Sequence, residues 1–212
     1  MTKTIFVGVP IHDGKIYVEC VAGMMQTQTA FPNRCQFDTL KGSFLPRNRD
    51  ILTARFLDSA ASHMLCLDSD IGFTPDNVND LLNHDVEFVS VCYSKKQAVR
   101  EIPAKLNGKT KDGLLGANHV PAGFVMLSRS CVERMVGAYR HLEYHSPQKL
   151  WALWSSIFDP NTTYSGEDVA FCDRWTAIGG EIWIDPGVIL SHYGDSCYLP
   201  ETDSNGLLKF SN

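Results

Sequence analysis

Two aspartates, Asp68 and Asp70, follow the apolar run His63-Met-Leu-Cys-Leu67 and lead into Ile71-Gly72-Phe73. If that run is a buried strand, alternating faces put both carboxylates on one side at its carboxyl end. Open α/β sheets bind ligands at that edge. Two like charges held there repel unless a cation lies between them. Hard oxygen donors suit Mg²⁺ or Mn²⁺, which commonly bind one or two carboxylates together with substrate phosphates. The pair therefore points to a metal–phosphate site, with a polar turn after a strand as the bland alternative. A calcium loop starting at Asp68 fails, because Phe73 and Asn79 stand where a glycine and an acid are required.

Other residues offer companion chemistry. Glu167 and Asp168 open the stretch Gly166-Glu-Asp-Val-Ala-Phe-Cys-Asp-Arg-Trp175. They read either as acids favoured by a helix N-terminus, over a core face of Val169, Phe171, Cys172 and Trp175, or as a general base for a sugar hydroxyl. His192 ends an apolar run, as a hydrogen-bonded core residue or as a further metal ligand. Arg47, Arg49, Arg55, Lys95 and Lys96 are solvated by default, and become phosphate partners only if they lie near the strand ends. Trp151 and Trp154 suit a sugar-stacking platform or a hydrophobic lid equally. Neither G-x-x-x-x-G-K-[ST] nor G-x-G-x-x-G occurs, so a kinase-like or dehydrogenase reading has no anchor.

The elements that must position these residues alternate in the first half. Ile5–Val9 predicts a strand stopped by Pro10, and His12-Asp-Gly-Lys15 a turn. Tyr17 to about Thr27 predicts a helix with Val18, Val21, Ala22 and Met25 inward, followed by a weak strand over Gln36–Leu40 and a loop at Lys41-Gly-Ser43. Arg49–Ala61 predicts a helix through Leu52, Phe56 and Ala60. Thr74-Pro75 reads as a cap and first helical residue of a helix to Asn83, before a strand at Glu87–Cys92. Lys105–Asn118 reads as a hairpin or exposed loop, and Val120–Leu127 as a strand broken by Pro121 and Gly123. Ser128 or Ser130 caps a helix to Tyr139, and Ser165 caps one over Gly166–Ile178. The segment 140–163 is aromatic and irregular, Glu181–Ile184 and Val188–His192 are short strands, and the last dozen residues form a polar tail.

At 212 residues and 44% hydrophobic, the chain can bury a core as one domain, with a nucleotide-binding half to about residue 95 and an acceptor half over about 96–200. The net charge of −5 argues against nucleic acid as a partner. No run approaches the length of a transmembrane span, and the opening residues read as a first strand rather than a signal peptide. Seven cysteines without a C-x-x-C pair predict buried free thiols in a reducing, cytoplasmic compartment.

Together these residues resemble the GT-A glycosyltransferases. Four blocks match in order: Ile5–Val9 with Pro10-Ile11; Arg49-Asp-Ile-Leu-Thr-Ala-Arg-Phe-Leu-Asp-Ser59 leading to Leu67-Asp-Ser-Asp-Ile-Gly-Phe73; Pro121-Ala-Gly-Phe-Val-Met-Leu127; and Ser165-Gly-Glu-Asp-Val-Ala-Phe-Cys172 with Trp183-Ile-Asp-Pro186 and Ser191-His-Tyr-Gly194. With Tyr93-Ser-Lys-Lys96, the compact chain is similar to the small glycosyltransferases of large algal DNA viruses that decorate capsid glycans, of the rhamnosyltransferase kind. The resemblance implies a Rossmann-like, mostly parallel α/β sheet with a smaller mixed-strand acceptor region, and further catalytic domains in a longer chain. It implies a UDP-sugar donor, of UDP-rhamnose or UDP-glucose type, and a glycan acceptor in the host cytoplasm. Asp70 and His192 would bind Mn²⁺ or Mg²⁺, with Asp68 reaching the ribose and the metal. Pro10, Ile11 and His12 would flank the uracil, while Arg49, Arg55, Ser69, Lys96, Gly123 and Trp151 would line the nucleotide sugar. Asp168 would be the base, with Glu167 on the sugar or acceptor. One departure stands out: many relatives carry Arg-Asn where this chain has Arg49-Asp50. A haloacid-dehalogenase-type phosphatase and a non-catalytic sugar-binding module are the rivals. The phosphatase motif usually follows the first strand and precedes Gly-Thr, which is not the arrangement around Asp68.

Overall fold

A computed structural model describes residues 2–97, 101–158 and 164–210. The first strand, β1 (Ile5–Ile11), alternates Phe6 toward one face with Ile5, Val7 and Val9 toward the other, all buried. It continues through Pro10, beyond the sequence expectation. Past Gly8 it pairs, among the described residues, with β2 (Cys35–Lys41) alone, because β3 (His63–Leu67) is paired no further, and a proline is tolerated at such an edge. Between β1 and β2 runs α1 (Val18–Ala30), and between β2 and β3 runs α2 (Leu45–Asp58). After β3 come β4 (Ile71–Gly72), α3 (Pro75–Asn83) and β5 (Phe88–Ser90). The second half adds β6 (Lys105–Lys111), β7 (Leu114–His119), β8 (Phe124–Ser128) and α4 (Arg129–Ala138). It ends with β9 (Glu143–His145), β10 (Lys149–Trp151), α5 (Glu167–Ala177), β11 (Ile182–Ile184), β12 (Ser191–Tyr193) and β13 (Cys197–Tyr198).

The main sheet has the order β2-β1-β3-β8-β5-β11-β7-β6 and draws strands from both halves of the chain. Among the described residues all its strands run one way except β8 and β7. Helices α2, α4 and α5 cover one face through Leu52, Phe56, Val132, Met135, Phe171 and Trp175. Helices α1 and α3 cover the other through Cys20, Val78, Leu81 and Leu82. Strand order reverses between β1, which leads to β2 on one side, and β3 on the other, so the carboxyl ends of β1 and β3 form a switch point. Among the described residues no helix is long and apolar enough to cross a membrane.

Several local expectations hold. Thr74 caps α3 in a reciprocal box with Asn77, with Pro75 in the first turn. Lys105–Asn118 is a hairpin whose turn, Asp112-Gly113, takes positive φ at both residues, as a tight two-residue connection requires. Ser128 caps α4. All seven cysteines are free, with Cys197 alone exposed.

Others change. Helix α2 starts at Leu45 with Pro46 in its first turn, so Arg49 lies inside it and Ala60 falls beyond it. Gly166, rather than Ser165, is the N-cap of α5. Segment 140–158 is not irregular throughout, since it contains the β9–β10 hairpin; residues 159–163 and 211–212 lie outside the described residues. Trp154 is neither platform nor lid: it is buried and stacks on Phe171 at 3.9 Å, with its indole N–H donated to Thr53.

The inward face of α1 also differs from expectation. Cys20, Gly23 and Thr27 are buried, whereas Val18 and Met25 are 72% and 67% exposed. Close approach decides this. A Cβ on Gly23 would lie 2.6 Å from the Phe73 carbonyl oxygen and 2.8 Å from its ring, so only a bare backbone fits there. Helix propensity alone favours alanine over glycine by about 1 kcal/mol, but overpacking costs about 1–3 kcal/mol. Gly23→Ala should therefore lower the urea midpoint. An unchanged or higher midpoint would show that α1 does not seat through Gly23.

Candidate functional site

The backbone leaving β3 is fixed by Asp68 N–H, which donates to the Gly123 carbonyl at 2.9 Å. Gly123 itself must be glycine: a Cβ there would lie 2.1 Å from Tyr93 Oη and 2.7 Å from Asp68 Oδ2. Its N–H donates instead to Tyr93 Oη at 3.0 Å. Gly123 thus supports the Asp68 carboxylate from behind.

Arg49 is the buried cation of the site, 4% exposed. One end of its guanidinium donates to Asp68 Oδ1 at 2.9 Å and the other to Glu167 Oε1 at 3.2 Å. Burial works against its charge, but Asp68 and Glu167 outweigh that and raise its pKa. The guanidinium also lies 5.2 Å from the Trp154 ring centre. One residue of α2 therefore locks the end of β3 to the start of α5.

Asp70 is held differently. Strand β12 pairs with β4 through His192↔Ile71, and Tyr193 N–H donates to the Asp70 carbonyl at 2.8 Å. This small second sheet carries His192 Nε2 to 3.6 Å from Asp70 Oδ2. His192 Nδ1 lies 2.8 Å from the Ser94 carbonyl, which can only accept, so Nδ1 carries a hydrogen. A neutral His192 then presents a bare Nε2 to Asp70. Lys96 Nζ donates to the same Oδ2 at 2.5 Å, while Asp70 Oδ1 is buried without a partner among the described residues. Burial pushes the Asp70 carboxyl up, yet the hydrogen bond and charge that His192 supplies when both ring nitrogens are protonated, with those of Lys96, prevail and hold it below the usual range.

Tyr93 lies within the field of the site's carboxylates, a place that sequence reasoning missed. Its ring packs edge-on against His192 at 4.8 Å. Burial first, then the charges of Asp68, Asp70 and Asp168, raise its pKa well above the ordinary phenol, so it stays a neutral hydroxyl. The signal was its place just past the predicted strand at 87–92. Asp168, half-buried, accepts from the Val169 N–H at 2.8 Å. Among the described residues no cation pairs with it.

At the switch point lies a cavity of about 600 Å³, lined by His12, Lys15, Tyr17, Ser69, Asp70 and Lys96 among others. It includes Tyr17 and Val18 at the start of α1, whose first-turn amides have no side-chain cap. Such a helix end suits an anion. A second cleft of about 550 Å³ lies near the amino end of β5, but its Lys109–Glu181 and Arg134–Glu87 charges are paired with each other.

Some expected residues stand elsewhere. Pro10 and Ile11 belong to β1, and of the three expected base contacts only His12 lines the cavity. Arg55 is taken by Asp38 at 2.8 Å. Trp151 sits in β10 with the Lys149 ammonium 5.2 Å from its ring. Asp50 points to the β9–β10 hairpin, where its oxygens accept from Trp154 N–H at 3.2 Å and Tyr144 Oη at 3.0 Å.

Among the described residues no three His, Cys, Asp or Glu side chains converge to hold a metal. Asp68 is turned to Arg49, which leaves Asp70 and His192. A carboxylate with one oxygen orphaned and the other 3.6 Å from an imidazole Nε2 still fits a hard divalent cation, whose other positions would come from water and substrate phosphate. The charges agree: Arg49 and Lys96 face Asp68, Asp70, Glu167 and Asp168, an excess of two negative charges that would repel a diphosphate.

No protein-family model matches the chain, and no curated protein matches it significantly. Among solved structures, A197 from STIV is similar over 100% of this chain and 99% of its own, at 15% identity and a TM-score of 0.59. That likeness shows a shared fold. A glycosyltransferase involved in glycosylating the major capsid of PBCV-1 is similar over 65% of this chain and 67% of its own, at 12% identity and a TM-score of 0.39.

Asp50 generates a prediction of its own. Burial pushes its pKa from 3.8 up to about 7, with the hydrogen bonds from Trp154 and Tyr144 opposing. The folded state then holds a proton that the unfolded chain releases near pH 4, so stability falls as pH rises from about 4 to about 7 and is flat above. Asp50→Asn, whose amide oxygen can accept from Trp154 N–H and whose NH2 can donate to Tyr144 Oη, should remove that slope, as measured by urea unfolding at pH 4.5 and 7.5. The same slope in both proteins would remove Asp50 as its source.

Proposed function

We propose that the chain is a metal-dependent glycosyltransferase of the GT-A kind, moving a sugar from a UDP-sugar to a glycan hydroxyl with inversion. The observation that carries it is Asp70, which has one oxygen orphaned and the other 3.6 Å from His192, and which lines a cavity at the switch point. The motif resemblance narrows the donor to the UDP-rhamnose or UDP-glucose type and the setting to capsid-type glycan synthesis.

In this reading Asp70 and His192 hold Mn²⁺ or Mg²⁺, which when bound offsets charge on the departing diphosphate. Arg49 orients Asp68 at the β3 end, where it can accept from ribose hydroxyls. His12 and Tyr17 flank the base side of the cavity, and the uncapped start of α1 favours phosphate. Arg49 also pairs with Glu167, so among the described residues Asp168 is the site carboxylate without a counter-charge. Asp168 takes the proton of the acceptor hydroxyl as its oxygen bonds to the anomeric carbon. The bond from that carbon to the phosphate oxygen breaks, and its electron pair leaves with UDP.

Losing a general base typically costs about 10²–10⁴ in rate. Asp168→Asn should thus keep UDP affinity within a factor of two while turnover of a UDP-sugar panel drops by at least about a hundredfold. Near wild-type turnover would exclude Asp168 as the base. Hydrolysis of an aryl phosphate by the wild type, with no UDP-sugar turnover, would favour the phosphatase.

A further inference from the structure

We infer that Lys96 is an exchangeable cation: it sits on Asp70 until a divalent metal takes that carboxylate, then turns its ammonium to the donor diphosphate. The inference rests on the glycosyltransferase reading and adds an order of binding to it, metal before or with nucleotide.

The geometry is specific. Lys96 Nζ lies 2.5 Å from Asp70 Oδ2, the same oxygen that faces His192 Nε2 at 3.6 Å. Ammonium and metal therefore compete for one atom. Two cations cannot share that oxygen without repulsion, and the other oxygen of Asp70 is buried with no donor to fix it. Occupation by the ammonium neutralises Asp70 in a site that otherwise carries excess negative charge.

Lys96 is also placed to move. Its side chain is one-third exposed, and it lines the same cavity as His12, Lys15 and Tyr17. Its ammonium lies 5.8 Å from the Tyr17 ring centre, near the uncapped start of α1. The stem passes over Gly194, where a Cβ would come within 3.0 Å of Lys96 Cδ, so the bare backbone leaves the lysine its path. Lys95, by contrast, is anchored outward on Glu101 at 2.8 Å. The two adjacent lysines thus divide: one fixes the segment, the other serves the site. A lysine released from Asp70 adds a positive charge where the diphosphate binds, so metal and nucleotide favour each other through one side chain.

The test uses the full chain and measures binding, not turnover. Mn²⁺ affinity is measured by electron paramagnetic resonance without nucleotide, and UDP affinity by calorimetry at saturating Mn²⁺. Lys96→Met keeps the stem and removes the charge. It should bind Mn²⁺ about tenfold more tightly and UDP about tenfold more weakly than wild type, on the scale of one charge-assisted hydrogen bond. Lys96→Arg, which can grip Asp70 with two N–H groups, should bind Mn²⁺ no better than wild type. If Lys96→Met binds Mn²⁺ no more tightly while UDP still requires the metal, the exchange role is overturned and the enzyme reading stands. If wild-type UDP binding ignores Mn²⁺ altogether, both fall.

Discussion

The site depends on one buried guanidinium. Arg49 reaches from α2 to Asp68 at the end of β3 and to Glu167 at the start of α5. Two consecutive elements and one more than a hundred residues on meet on its fork. An ion pair this buried is costly to desolvate, and removing one partner strands the rest, so the triad behaves as a unit. It also ties the chemistry to the core, because Arg49 lies against Trp154, and Trp154 stacks on Phe171.

That constraint sorts four carboxylates into different roles. Asp68 and Glu167 share one positive charge and are oriented by it. Asp70 is left to His192 and Lys96, and Asp168, among the described residues, pairs with no cation. Residue types alone do not make these distinctions. Adjacent acids such as Glu167 and Asp168 separate only because a helix start sends their side chains in different directions, and one of them meets Arg49. The residual negative charge means that a diphosphate would meet repulsion there unless a cation offset it.

Much of this was legible from the chain. An apolar run ending in Asp-x-Asp marked the end of β3, and the capping pattern at Thr74-Pro75 located α3 to the residue. His192 was a fair third partner, because it too ended an apolar segment. What escaped were contacts that depend on close packing or long separations. The α1 face was misread because Gly23 and Thr27 carry no hydrophobic signal, although backbone approach to Phe73 selects them. Asp50 stood out only as a departure from Arg-Asn, and its partners, Tyr144 and Trp154, lie about a hundred residues on. Trp154 looked available to a sugar and is core. Tyr93 was only the residue after a strand until Gly123 and three carboxylates were seen around it.

The central claim is that the Asp70–His192 pair takes a divalent cation and that this cation admits a nucleoside diphosphate to the cavity beside it. Calorimetric titration of UDP into wild type and Asp70→Asn, each with and without Mn²⁺, tests that most directly. The account predicts heat of binding only for wild type with Mn²⁺. Equal UDP affinity with and without the metal, or full Mn²⁺-dependent binding by Asp70→Asn, would contradict it.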